Sequence, residues 1–265
     1  RIESIMKIHF VKYHGTGNDF IIIGNMNKQI QLSDDDVKLL CHRHFGIGSD
    51  GIILLEPHAK FDFEMVFFNP DASQSFCGNG SRCAVQFASE LGLIDTRCEF
   101  LAIDGTHMAA LNNNGVQIKM KDVDTVTRGI DFFFIDTGSP HHVVFVEDVN
   151  KIDVIAEGRA IRYADTYLPH GTNVDFVMYE KDAVNVRIYE RGVENETYSS
   201  GTGTTAIALA TYLDGKLDLK NQCPVHTRGG EVLVSFKPGQ NDSFHDIWMS
   251  GPVKKVYTGS FDLPC

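Results

Sequence analysis

The sequence has no apolar run approaching the roughly 18 residues of a membrane span. It also lacks a G-x-x-x-x-G-K-[ST] phosphate loop, a paired C-x-x-C spacing and any zinc-type grouping of its scattered histidines, the adjacent His141 and His142 included. These absences leave no sequence support for a membrane partner, a P-loop nucleotide site, a metal or another cofactor. Basic residues are in deficit too: 24 Lys and Arg against 35 Asp and Glu give a formal charge of −11, and the basic positions form no stripe. Such a surface repels a phosphate backbone, so nucleic acid is not an expected partner; a small molecule or a second copy of the chain is. The cysteines at 41, 77, 83, 98, 223 and 265 follow a leader, Arg1 to Ile5, too short and too polar for a secretory signal. Reduced thiols in a cytoplasmic protein are the expectation.

What is present is a pattern used twice. Cys77-Gly78-Asn79-Gly80 opens a helical stretch that closes at Gly92, and Ser200-Gly201-Thr202-Gly203 opens another that closes at Gly215. The two are 123 residues apart, and other segments match at that offset without a change of register: Phe61 to Val66 with Val184 to Tyr189, Gly48-Ser49-Asp50 with Gly171-Thr172-Asn173, and Gly15-Thr16 with Gly138-Ser139. We read an internal duplication: two lobes related by a pseudo-twofold axis, with equivalent positions facing each other. A length of 265 residues suits two domains of about 130 each.

Apolar alternation predicts strands over 7–10, 20–23, 52–55, 63–68, 100–103, 108–111 and 116–120, with helices over 34–44 and 80–91. The second half repeats this order, with strands over 132–136, 142–146, 173–178 and 184–189, a helix over 204–213, and strands over 225–227, 231–236 and 246–250. The helices containing Ala84 to Leu91 and Ile207 to Leu213 are apolar around most of their circumference, as a helix enclosed by a curved sheet would be. The expected fold class is α+β.

Gly46 to Gly51 matches G-x-G-x-x-G, and Gly201 to Ala206 its G/A variant, but neither lies between a short buried strand and a helix, so a dinucleotide site is not indicated. Glycines at a helix start instead suit close approach of a carboxylate to unpaired N–H groups. The same field favours a thiolate: a cysteine pKa of about 8.5 falls by one to several units at a helix N-terminus, which makes Cys77 a candidate base. Cys83, farther along the same helix, is a core candidate. Glu190-Arg191, at a strand end before the second cassette, offers groups for an ammonium and a carboxylate.

These residues resemble the diaminopimelate epimerase family, cofactor-independent enzymes that use two facing cysteines. The resemblance runs from Met6 to the end and rests on His14-Gly15-Thr16-Gly17-Asn18-Asp19-Phe20, Cys77-Gly78-Asn79-Gly80 with Arg82-Cys83, Gly138-Ser139-Pro140-His141, Glu190-Arg191-Gly192, and Glu196-Thr197 leading into Gly201-Thr202-Gly203. It implies lobes of residues 1–122, completed by 255–265, and 123–254, each a curved, mainly antiparallel sheet around a central helix. It also implies a diamino dicarboxylate substrate held between the lobes, a role in making lysine and peptidoglycan precursors, no cofactor, and a homodimer. By the same resemblance Asn18, Asn69, Asn173, Glu190 and Arg191 contact the distal end of the substrate. Gly78, Asn79, Gly201 and Thr202 cradle the α-carboxylate.

Epimerisation needs one group to remove the α-proton from one face and another to deliver a proton to the opposite face. The family has cysteine at both places; here the second is Ser200, and Gly51 and Ser139 are further departures beside the expected pocket. A hydroxyl is a far weaker acid than a thiol. Four readings of Ser200 follow: a replacement introduced to trap a substrate complex, a slow or one-base epimerase, a non-catalytic amino-acid-binding homologue, or a one-base dehydratase or isomerase of the same fold.

Overall fold

The computed structural model describes residues 5–112 and 115–264. Arg1 to Ser4 and Cys265, on which part of the leader reading and the sixth cysteine fell, lie outside them. The chain forms two compact units, one running up to Ile118 and resuming at Val253, the other spanning Lys119–Pro252.

The first unit contains β1 (Ile5–Gly15), β2 (Asn18–Gly24), α1 (Asp34–Cys41), β3 (Ile52–Glu56), β4 (Phe63–Phe68), α2 (Gly78–Glu90), β5 (Arg97–Ala102), β6 (Gly105–Asn112) and β7 (Gly115–Lys119). The second contains β8 (Thr127–Arg128), β9 (Phe132–Asp136), β10 (Pro140–Phe145), α3 (Val154–Arg162), β11 (Asn173–Tyr179), β12 (Val184–Glu190), β13 (Asn195–Thr197), α4 (Gly201–Asp214), β14 (Gln222–Thr227), β15 (Gly230–Pro238) and β16 (Phe244–Gly251). The last strand, β17 (Val253–Pro264), belongs to the first unit and pairs antiparallel with β1 from Ile5↔Pro264 to Gly15↔Val253.

The ladders repeat as the sequence offset does. In the first unit β1 and β2 pair antiparallel, β2 and β3 parallel, β3 and β4 antiparallel, β4 and β5 parallel, and β5 to β7 as an antiparallel meander. In the second, β9 and β10, β10 and β11, β11 and β12, β12 and β14, and β14 to β16 pair in the same senses in the same order. Each ladder set wraps a helix. α2 packs on β1, β2, β3, β4, β6 and β17, and α4 on β9, β10, β11, β14, β15 and β16.

Successive side chains of a strand point to opposite faces, and here both faces are covered. Ile21, Ile23, Ile52 and Leu54 pack with Val37 and Leu40 of α1, while Phe20 and Ile53 lie against Gly80 at the start of α2. In the second unit Val174, Phe176 and Tyr189 pack with Val154 of α3, and α4 is buried continuously from Gly203 to Thr211. Both central helices end where the sequence placed their stops: Gly92 and Gly215 each take a φ of +72°, a conformation open to glycine at little cost.

Three helix boundaries differ by two residues or more from the sequence-based expectation, and strands such as β1, β2 and β14 run longer than expected. α1 stops at Cys41 rather than near His44, because the backbone N–H groups of Ile47 and Gly48 turn back onto the carbonyl of Leu40 and that of Ser49 onto Cys41. α2 and α4 begin at Gly78 and Gly201, two and three residues earlier than expected, with Cys77 and Ser200 as their caps. α3 was not anticipated. Its mid-helix Gly158 reads as a breaker, yet a Cβ there would lie 2.5 Å from Cβ of Tyr189, so the helix needs that glycine to reach β12.

The continuous burial of α4 sets a test of this packing. Leu209→Ala, at a fully buried position, is expected to lower the free energy of urea unfolding by about 2–5 kcal/mol. Its denaturant slope should stay unchanged.

Candidate functional site

In the first unit the site residues gather at the start of α2. Cys77 is the N-cap: its Sγ accepts from Gly80 N–H at 3.4 Å, and its carbonyl accepts from Ser81 N–H at 2.8 Å. The N–H groups of Gly78 and Asn79 belong to the same first turn, at the positive end of the helix. Asn18, at the start of β2, reaches both: its Oδ1 is 3.7 Å from Cys77 Sγ and 3.4 Å from Asn79 Nδ2. Asn18 Nδ2 in turn donates to Asp50 Oδ2 at 2.9 Å. Asn69 is tied into its own loop, donating through Nδ2 to Ser73 and Ser75.

Beneath this cluster lies a residue the sequence reading quoted but did not assign. Arg82 is fully buried, donating through Nη2 to Asn79 Oδ1 at 2.6 Å and to Thr16 Oγ1 at 3.2 Å. Its Nε and Nη1 have no hydrogen-bond partner, and among the described residues no carboxylate pairs with it. Burial pulls its pKa down from the usual guanidinium value, opposed by the nearby Cys83 and Cys77. Even so, arginine stays protonated in proteins, so a positive charge is buried within the helix that Cys77 caps. Cys83 itself is buried, and burial pushes its thiol well above the ordinary range. Cys98 and Cys223 are likewise raised, to about 12; Cys77 differs from these buried thiols in being only half-buried.

The second unit repeats the arrangement with different chemistry. Ser200 caps α4, with Oγ accepting from Gly203 N–H at 3.2 Å and its carbonyl from Thr204 N–H at 2.9 Å. Thr202 Oγ1 lies 3.4 Å from Ser200 Oγ and 2.9 Å from Nε2 of His141. On the other side of the ring, Nδ1–H of His141 donates to Asp175 Oδ2 at 2.8 Å, and both side chains are fully buried. Gly203 permits this assembly, since a Cβ there would come within 3.1 Å of Asp175 Oδ1 and 3.2 Å of the imidazole ring.

Asn173 joins the remaining motifs. Its Nδ2 donates to Ser139 Oγ and to the Pro140 carbonyl, each at 2.8 Å, and its Oδ1 accepts from Arg191 N–H at 2.8 Å. Glu190 ends β12 beside it, and the Arg191 guanidinium donates to the His170 carbonyl at 3.2 Å. The amide nitrogen of Asn173 thus fixes the segment that carries Ser139, and its oxygen fixes the loop that carries Arg191.

His141 and Asp175 escaped the sequence reading as site residues, although two signals marked them. The 123-residue offset that relates Cys77 to Ser200 also relates Asn18 to His141 and Asn79 to Thr202. Asp175 is a lone acid inside an otherwise apolar buried strand, where a charge requires a partner.

This geometry has relatives. The sequence profile described as diaminopimelate epimerase matches residues 10–126 and 133–256. The chain belongs to the diaminopimelate epimerase family. It is 43% identical to the diaminopimelate epimerase of Flavobacterium psychrophilum across 95% of this chain and 98% of that one, and 39% identical to that of Aquifex aeolicus across 95% and 97%. Among solved structures, a PhzF-family phenazine biosynthesis protein of Bacillus anthracis superposes with a TM-score of 0.75 at 13% identity, covering 97% of this chain and 99% of that one. A hydroxyproline epimerase of Agrobacterium vitis superposes with a TM-score of 0.69 at 16% identity, covering 98% and 93%. These two share the fold.

His142 turns away from its neighbour, as alternate strand residues must. It is hydrogen-bonded through Nδ1 to the Tyr167 hydroxyl at 2.6 Å and stacked on Phe132 with ring centroids 4.3 Å apart. Burial lowers its pKa from 6.5 to about 4, so the folded chain holds it neutral where the unfolded chain protonates it. The unfolded state then binds more protons below pH 6.5, and stability falls as the pH drops from there toward 4. Chemical denaturation at a series of pH values is expected to show this loss, and His142→Gln should flatten the slope in that window.

Proposed function

We propose that the chain interconverts LL- and meso-diaminopimelate by taking a proton from the α-carbon on one face and returning one on the other. Cys77 serves one face and the group at position 200 the other. The observation that carries this reading is the pair of N-caps: Cys77 and Ser200 occupy the same place in duplicated units, each on the first turn of a buried helix. The relatives' activity supports the substrate, a diamino dicarboxylate.

As the α-proton leaves, negative charge grows on the α-carboxylate. First-turn N–H groups of Gly78 and Asn79, and of Gly201 and Thr202, suit that charge because they are fixed before the reaction begins. Asn18, Asn69, Asn173, Glu190 and Arg191 are assigned to the distal amino-acid end, either by contact or by holding a contacting loop in place. Pyridoxal and metal have no part in this scheme, since the developing charge is met by backbone dipoles.

The two acid–base positions are unequal. A thiol at a helix N-terminus, above the buried Arg82 cation, is disposed to be an anion near neutral pH. The Ser200 hydroxyl can give a proton to a carbanion but is a poor base. Proton exchange at the face served by Cys77 should therefore outrun net inversion.

In heavy water, the stereoisomer presented to Cys77 is expected to take up α-deuterium faster than it inverts. Cys77→Ala should abolish both events, and Ser200→Cys should raise the inversion rate by about 10²-fold or more. Equally rapid exchange and inversion of both stereoisomers in the Ser200 chain would contradict the asymmetry. Binding of diaminopimelate with no gain from Ser200→Cys would shift the reading to an amino-acid-binding protein or a one-base elimination.

A further inference from the structure

We propose that Ser200 is a proton-transfer group whose partner is His141, reached through the Thr202 hydroxyl and held in orientation by Asp175. This rests on the epimerase reading above and assigns a part to residues which that reading left idle.

The duplication makes the argument by contrast. In the first unit the acid–base group is a thiol, and the side chains next to it are the amides of Asn18 and Asn79, which orient but do not shuttle protons. At the equivalent places in the second unit stand a hydroxyl, a second hydroxyl and an imidazole: Ser200, Thr202 and His141. A thiol titrates near neutral pH unaided, whereas a hydroxyl needs a base behind it to act at that pH. The half with the hydroxyl has one, in an unbroken line of polar atoms from Ser200 Oγ through Thr202 Oγ1 and both nitrogens of His141 to Asp175 Oδ2.

Asp175 supports the assignment independently. It is completely buried, its Oδ1 has no hydrogen-bond partner, and its Oδ2 accepts from His141 Nδ1–H. A carboxylate so placed fixes the ring with Nε2 toward Thr202. The longest link, 3.4 Å between Ser200 Oγ and Thr202 Oγ1, is of the kind that tightens when substrate binds.

The proton steps balance. With His141 doubly protonated, the Ser200 O–H bond breaks as a C–H bond forms at the α-carbanion. The Thr202 hydroxyl proton moves to Ser200 Oγ, and the proton on His141 Nε2 moves to Thr202 Oγ1, leaving His141 neutral. Removal of an α-proton by Ser200 runs the same chain backwards. His141, Thr202 and Asp175 are positioning residues, and Ser200 alone touches the reacting carbon.

The test compares Asp175→Asn in two backgrounds, the chain as it stands and the Ser200→Cys chain, measuring inversion of diaminopimelate relative to α-deuterium exchange at the Cys77 face. In the Ser200 background the ratio of inversion to exchange is expected to fall by about tenfold or more. In the Ser200→Cys background, where the thiol needs no relay, it should move by less than about twofold. His141→Gln, which interrupts the chain at a different residue, should give the same pattern and guards against a folding defect peculiar to position 175. An equal fall in both backgrounds marks a structural role and overturns the proposal. So does an active Ser200→Cys chain alongside a Ser200 chain that does not invert at all, or whose ratio ignores Asp175→Asn. If neither background interconverts the stereoisomers, the epimerase assignment itself fails.

Discussion

Two buried helix starts impose the constraint on which the rest of this structure depends. A helix whose first turn lies inside a protein leaves N–H groups without partners, and burying them unpaired is costly. The chain meets this demand at α2 and α4 in one way: the capping side chain accepts from the third residue of the helix, Gly80 or Gly203, and the capping carbonyl from the fourth, Ser81 or Thr204. Glycines are required there because strand side chains and, at Gly203, the His141–Asp175 pair pack directly onto the first turn. The wrapped sheets, the glycine cassettes and the acid–base positions are thus parts of one solution to the same electrostatic problem.

Because the solution is used twice, each unit serves as a control for the other. Shared features, such as the order of parallel and antiparallel ladders, follow from the fold. Features that differ mark where chemistry has been specialised. The first unit places a buried guanidinium, Arg82, under a thiol, whereas the corresponding place in α4 is held by Thr205, whose hydroxyl is bonded to the Gly201 carbonyl. The second unit has a buried imidazole–carboxylate pair where the first has Asn18 and, at a neighbouring strand position, Ile52. On the proposed reading, one half favours an anion at its cap through fixed positive charge, while the other places an imidazole behind its capping hydroxyl.

Much of this was legible in the sequence, for identifiable reasons. Strands such as β2, β3, β11 and β12 could be read because both of their faces are packed, giving dense apolar runs. The duplication could be read because glycines at fixed spacing tolerate little drift. β17 was placed only through the family resemblance: most of its side chains are exposed, and its long backbone pairing with β1 leaves no side-chain pattern to read. The starts of α2 and α4 were set too late because glycine scores as a loop residue, while capping and close packing override propensity. α3 was hidden for the same reason at Gly158. Cys77 and Ser200 were found by spacing, but His141 and Asp175 lie on strands separated in sequence, and only the pairing of β10 with β11 brings them together.

The likeness to solved structures at 13–16% identity sharpens what sort of argument can carry function here. A fold retained at that distance fixes where two helix starts lie, and says little about what is done there. The residues that decide chemistry are few and interlocked. Asn173 illustrates this: by spending both amide protons on Ser139 and Pro140 and its oxygen on Arg191, it couples three loop motifs through a single side chain. A change at any one of them displaces the others, so substrate choice in such a site is a property of the hydrogen-bonded set. The same logic applies to Ser200. On the proposed relay its chemical competence is set by what stands behind it, a buried histidine held by a buried carboxylate.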